Sequence, residues 1–437
     1  MLFRKRVAVG RVAVAVTVII IVVIAGVVGL YVFYKPAVST HSTSVATTTG
    51  APIKIGAFFD LSGPIATLGT QAADGEKYAV NQWNANGGVT IDGVRHLIDF
   101  TVLDAAGSTP QAVTDTQQLI SAGNVAVVGG DNSNECLAVL STYQSAGVPF
   151  ITPVCAANTI YQQIGAQNLT YVFQASGTVV QFAQAMAATI NYYLHPTRVA
   201  VVTLDETSTR LEASAFVQWF QQNAPGVSVV AQEFISATDT SGWSSAFLAA
   251  KQAGAQVIYF DVSGSTALEG AYISAWQTTQ TPAVIANNSP YSPAGFSQYN
   301  QTLNTQIDDI RWVPTPADSA WVAGFQAQFN MPPNAIVAES YDAMNLTLTA
   351  IQQHGTWPLT GSSVRDGLEQ VNFPGVWGQN KFDSMNSTTP HLKQFTFDIA
   401  QIVNGKLNLI WPTNIANSTF VSPVFPWGAK YNQTSAG

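Results

Sequence analysis

The residues able to do chemistry are few. Cys136 and Cys155 are the only cysteines in 437 residues. Each follows a short apolar, β-rich run, VAVVGG at 125–130 and VPFITPV at 148–154. If those runs are neighbouring parallel strands, both sulfurs sit at the carboxyl edge of one sheet. An even cysteine count in an exported chain favours a disulfide, which would close a loop of about 20 residues and contribute on the order of 3 kcal/mol. The competing reading is two buried free thiols. A nucleophilic role has no support, because none of the five histidines is close in sequence to either cysteine. His96, His195 and His354 show no metal-ligand spacing. The chain has no G-x-S-x-G elbow, no H-E-x-x-H and no Gly-rich phosphate loop, so neither an enzyme nor a cofactor is expected. Two acids stand where sites form in α/β sheets: Asp205 closes the run RVAVVTLD and Asp261 the run AQVIYFDV. Either is equally an ordinary surface aspartate.

These groups depend on a longer plan. Residues 12–33 are an uncharged apolar run behind Arg4, Lys5, Arg6 and Arg11, long enough to cross a bilayer core of about 30 Å. The positive-inside rule puts the residues after this run outside the cytoplasm. The run is longer than a signal-peptide core and lacks a small-x-small cleavage site, so an N-terminal transmembrane anchor (1–35) is expected over a cleaved signal. Residues 36–50 are small and hydroxylated and read as a stalk. The rest holds all 25 acids but only 12 of the 17 Lys and Arg, which argues against nucleic acid as a partner. Sequons at Asn168, Asn287, Asn300, Asn345, Asn386, Asn417 and Asn432 suggest a surface glycoprotein.

From residue 51 onward, strand and helix alternate. IKIGAFFDL, HLIDFTVLDA, VAVVGG and VPFIT read as strands, separated by helical spacing at 69–88, at 109–123 (capped by Thr109) and through Tyr143. After residue 172 the pattern restarts, with helices at 182–194, 211–224, 243–254 and 265–277 between strands at 198–205, 227–234, 255–262 and 282–288. Trp83, Tyr192, Trp219 and Trp276 fall on apolar helical faces and read as core; Tyr291 and Trp377 fall in loop-like stretches. The fold class expected is α/β, with two doubly wound parallel-sheet lobes joined by three hinge crossovers near 172–180, 294–312 and 376–396. The boundaries are 51–175 and 301–378 for lobe 1, and 176–300 and 379–437 for lobe 2 with its tail.

SGPIATLG (62–69), NANGGV (84–89), LDAAGSTPQAV (103–113), VVGGDNSNE (127–135), TPVCAAN (152–158), ESYDAMNLTLTAIQQHG (339–355) and FDIAQIVNGKL follow in an order that resembles type I periplasmic solute-binding proteins of ABC importers, the leucine/isoleucine/valine-binding branch. The resemblance covers 51 to about 412. It implies a solute clasped between two lobes and handed to an ABC permease and its ATPase. It places the hydroxyl that holds the ligand carboxylate at Ser133, beside Asn132, and a second contact segment at Val154, Cys155 and Ala156. The family's aromatic lid falls on Leu68 and a further hydroxyl on Ala156, both departures. In lobe 2 the acid facing the ligand ammonium falls on Asn288 and an aromatic on about Ser263, so Asp205 or Asp261 must replace the missing charge, or the ligand is not a cation. Ser133 and Asn132 also read simply as helix caps. A sensor or surface-structure protein that reuses the fold without transport is the alternative function.

Overall fold

Short apolar runs buried on both faces are what a parallel sheet requires. In β1 (Ile53–Phe59) only Lys54 is exposed. Helix α1 (Ala66–Ala85) is followed by Gly87 and Gly88, both at positive φ. A short hairpin of β2 (Val89–Ile91) and β3 (Val94–His96) then leads into β4 (Ile98–Asp104). Helix α2 (Thr109–Ser121) begins at a cap formed by Ser108, one residue before the expected Thr109. Strand β5 (Ala126–Val128), helix α3 (Ser133–Ala146), β6 (Phe150–Thr152), α4 (Asn158–Gln167) and β7 (Val172–Gln174) complete the series. The main strands make a sheet of order β4-β1-β5-β6-β7 with every pair parallel.

The second series runs α5 (Val179–Leu194), β8 (Arg198–Leu204), α6 (Thr207–Asn223), β9 (Ser228–Ile235), α7 (Gly242–Gln252), β10 (Val257–Asp261), α8 (Thr266–Thr279), β11 (Val284–Asn287) and β12 (Ile307–Arg311). The chain then returns to the first sheet with α9 (Ser319–Phe329), α10 (Ala335–His354) and α11 (Gly361–Leu368), and with the two-residue strands β13 (Phe373–Pro374) and β14 (Gln379–Asn380). Strands β15 (Asp398–Val403) and β16 (Lys406–Trp411) finish it. The second sheet has the order β16-β15-β12-β11-β10-β8-β9, antiparallel only at β12-β15 and β15-β16. This computed structural model describes residues 49–431 except 64, 237, 240, 263–265, 288–297, 313, 394 and 396. The apolar run 12–33, most of the stalk, Ser263, Asn288, Tyr291 and Asn432 lie outside the described residues. Among the described residues no helix is long and apolar enough to cross a membrane.

The chain moves between the sheets at 175–178, 312–318 and 393–397. Strand β12 pairs with β11 and β15 in the second sheet, and Phe382 packs in the core of the first. All three segments meet at an aromatic cluster, in which the rings of Phe182 and Phe397, and of Trp377 and Phe395, have centroids 4.9 Å apart. Trp377 lies in the turn between β13 and β14, as the loop-like stretch implies, and is buried there. Acids of α10 pin the segments: Glu339 accepts from the Gly177 N–H (3.1 Å), and Asp342 accepts from the Val376 and Trp377 N–H groups (2.9 and 2.8 Å). Lys393, fully buried, lies 3.5 Å from Asp342 and 4.2 Å above the Phe395 ring.

Residues after β16 close the second core. Phe425 stacks on Trp427, whose ring meets Trp276, and the Val424 N–H donates to Thr305 Oγ1 at 2.7 Å. Trp276 is core as expected, and Trp83 and Trp219 are half-buried. Tyr192 is not core: it is 54% exposed, because the neighbouring Tyr193 takes the inward position and stacks on Phe420.

Candidate functional site

Strands β5 and β6 are parallel neighbours, so their following turns emerge side by side. After β5, the Asn132 side chain caps α3 by accepting from the Asn134 N–H at 3.0 Å. Ser133 Oγ, half-buried, accepts from the Ala157 N–H at 3.3 Å, joining this turn to the one after β6. A disulfide between Cys136 and Cys155 joins them again, with Cα atoms 6.6 Å apart. Gly130 is obligatory beside it: its φ is +89°, and a Cβ there would collide with Cys136 Sγ. Cys155 has nothing left to offer a solute, since its sulfur is in the disulfide, its N–H meets Thr152 Oγ1, and its carbonyl accepts from Gln174 and Ser176. The Ala156 carbonyl accepts from the Val179 N–H, tying the rim to the first crossover. Leu68 and Val154 pack with Phe59, Ala72 and Ile336 in a small apolar cluster.

Three acids gather beside this rim, and sequence reasoning missed them. Asp60 follows β1, Asp131 follows β5, and Glu135 lies in the first turn of α3. One carboxylate oxygen of each lies within 4.8 Å of the others, and Asp60 and Glu135 are fully buried. The Asp60 N–H donates to Asp131 Oδ1 (3.1 Å), and Asp60 Oδ1 accepts from the Gly107 N–H (2.6 Å). Burial, and then the neighbouring Asp60 carboxylate, push Asp131 up to about 7 and Glu135 up to about 8; burial also raises Asp60. Helix α1 closes on this group at Gly69, where a Cβ would lie 2.7 Å from Asp131 Oδ2 and would strike the Asp60 carbonyl. Asp104 does turn-forming work close by, accepting from the N–H groups of Leu61, Ser62 and Ala106. The available signal was an acid shortly after each of two apolar strands, Asp60 one residue past β1 and Asp131 three past β5.

Strands β8 and β10 are also parallel neighbours, so Asp205 and Asp261 stand near the same edge of the second sheet. Asp205 is exposed and lies 2.5 Å from Arg210 Nε, which itself sits over the Phe234 ring. Its charge is already matched. Asp261 is 4% exposed at the last position of β10. One sequon is closed by the fold: Asn287 is fully buried and donates to Asp308 at 2.8 Å; Asn345 is half-buried and accepts from Trp83 Nε1 at 2.7 Å. Asn168, Asn386 and Asn417 are exposed.

Residues 52–406 match the family described as periplasmic binding protein. The chain belongs to that family. It is a family of extracytoplasmic solute-binding proteins, not of enzymes. The Leu/Ile/Val-binding protein homolog 3 of Brucella melitensis is 26% identical over 362 residues, covering 81% of this chain and 93% of that protein. Among solved structures, the branched-chain amino acid transporter substrate-binding protein LivJ of Streptococcus pneumoniae, in complex with isoleucine, superposes with a TM-score of 0.67 at 22% identity, covering 82% of this chain and 97% of that one. An ABC transporter solute-binding protein of R. palustris in complex with benzoate gives 0.68 at 19%, covering 82% and 95%. Both share the fold of two parallel sheets.

Proposed function

We propose that this chain is the solute-binding subunit of an ABC importer, holding a small carboxylate between the carboxyl edges of its two sheets, with a lobe built on each. The observation that carries this reading is the stitched rim at β5 and β6. There a half-buried hydroxyl, Ser133 Oγ, stands at the start of a 14-residue helix, a position suited to an anion. Leu68 and Val154 give an apolar wall for the solute's body. The isoleucine and benzoate bound by the two neighbours have a carboxylate and an apolar body in common, and only isoleucine carries an ammonium. Asp261, buried at the last position of β10, is the proposed counter-charge for an ammonium. Closure is a hinge motion at the crossovers. The run at 12–33 is proposed to tether the subunit near its permease and ATPase.

Calorimetric titration of the full chain with leucine, isoleucine, valine and benzoate tests the reading. Saturable binding of at least one is expected, with Ser133→Ala weakening it by about tenfold or more, the scale of a lost hydrogen bond to a charged group. Failure of every carboxylate to bind overturns the proposal, and an unchanged affinity in Ser133→Ala removes that residue from the site.

A further inference from the structure

Glu135 is fully buried, and among the described residues no N–H or hydroxyl from outside the acid group reaches either of its carboxylate oxygens; its one partner is the Asp60 carboxyl, within the group. Asp60 Oδ2 likewise has no donor from outside the group. Both side chains point at Asp131, and no Lys, Arg or His among the described residues pairs with any of the three. Buried carboxylates left unmatched cost several kcal/mol each. The surrounding chain, far from relieving this, adds Asp104 and Asp115 to the local negative field.

We propose that Asp60, Asp131 and Glu135 form a binding site for a single hard divalent cation, of the calcium, magnesium or manganese class. Two oxygens that both lie about 2.4 Å from one ion are at most about 4.8 Å apart, and the three carboxylates satisfy that limit. An all-oxygen set without His or Cys selects a hard cation over zinc or copper. The Asp60 and Asp131 carboxylates already accept from the Gly107 and Asp60 N–H groups, so two of the three ligands are held before the ion arrives. The cation has a structural consequence too. Asn132 and Ser133 lie between two of its ligands in the chain, so the ion fixes the turn on which the proposed solute hydroxyl stands. It also offsets negative charge next to a place proposed to receive an anion.

The cation inference does not depend on which solute binds. The full chain, purified without chelator, is analysed for metal by mass spectrometry, then stripped with EDTA and titrated with calcium, magnesium and manganese chlorides, following heat and melting temperature. One cation per chain is expected, together with a rise in melting temperature that EDTA reverses. Glu135→Gln is expected to lower the cation affinity by at least about tenfold, while Asp205→Asn, an exposed acid elsewhere, leaves it unchanged. Absence of metal together with no cation-dependent shift in the native chain overturns the proposal, leaving protons as what neutralises the cluster. Equal cation affinity in Glu135→Gln also overturns it. If Glu135→Gln does not fold, Asp60→Asn takes its place under the same criteria. Solute titration of the stripped chain is read separately, so loss of the cation site and loss of the solute site are not confused.

Discussion

The buried acids at the crossovers and those at the end of β1 face the same physical problem and are treated differently. At the crossovers, Asp342 accepts two backbone N–H groups and lies 3.5 Å from a buried lysine, and Glu339 accepts the Gly177 N–H. Burial lowers the Lys393 pKa while the Asp342 charge works in the opposite direction. In the other group, Asp60, Asp131 and Glu135 face one another, and no cationic side chain among the described residues pairs with them. The first set is matched by a cation of the chain itself; the second has raised pKa values in place of such a partner, and it is the set proposed to bind an ion from outside. The paired set ties the first and third crossings, at Gly177 and Lys393, to one helix; the other set stands beside the rim proposed to bind solute.

This contrast can be broken most severely at the lysine. Lys393→Met leaves Asp342 buried and uncompensated, which should cost about 3–5 kcal/mol; the denaturant midpoint reads it, and adding Asp342→Asn should recover part of the loss. If the single substitution is harmless, the crossover acids are not held by charge pairing. A smaller effect is expected at Gly69, where a methyl group strikes the Asp60 carbonyl and crowds Asp131 Oδ2. Gly69→Ala should destabilise by about 1–3 kcal/mol. Gly226→Ala, with nothing near its added methyl, should leave the midpoint almost unmoved. The smallest effect sharpens the comparison with a third acid. Glu76 is fully buried on α1 with neither oxygen hydrogen-bonded, and burial raises it well above 4.5. Because the folded chain favours its protonated form, its contribution is complete below about pH 4.5 and is lost as pH rises toward the folded value. The melting temperature should therefore fall as pH rises above about 4.5, and Glu76→Gln should flatten part of that slope. A slope unchanged by the substitution would show that other groups set it.

Much of the sheet architecture was legible because parallel strands are continuous apolar runs, as in β1, β8 and β10, and because Gly and capping residues mark where helices stop and start. The disulfide was legible from two cysteines placed after two such runs. The turn at Asn132 and Ser133 was legible as a helix start, and Asn132 does cap it. The pairing of β12 with β15, some ninety residues later in the chain, was not legible, because nothing local announces it. The acid group escaped for the same reason: Asp60 and Asp131 are 71 residues apart and meet only because β1 and β5 are neighbours in the sheet. Tyr192 and Tyr193 show the limit of helical periodicity, since either could have faced inward and only the tail at Phe420 decides which does.

That tail has a practical consequence. The family match ends at residue 406, a natural place to cut when shortening the chain for expression. Such a cut would delete nearly all of β16, strip the Phe425 and Trp427 rings from Trp276, and remove Val421 and Val424 from their bonds to Gln401 and Thr305. A shortened version designed on homology alone would be missing one wall of its own interior, and its insolubility would say nothing about what the intact receptor binds.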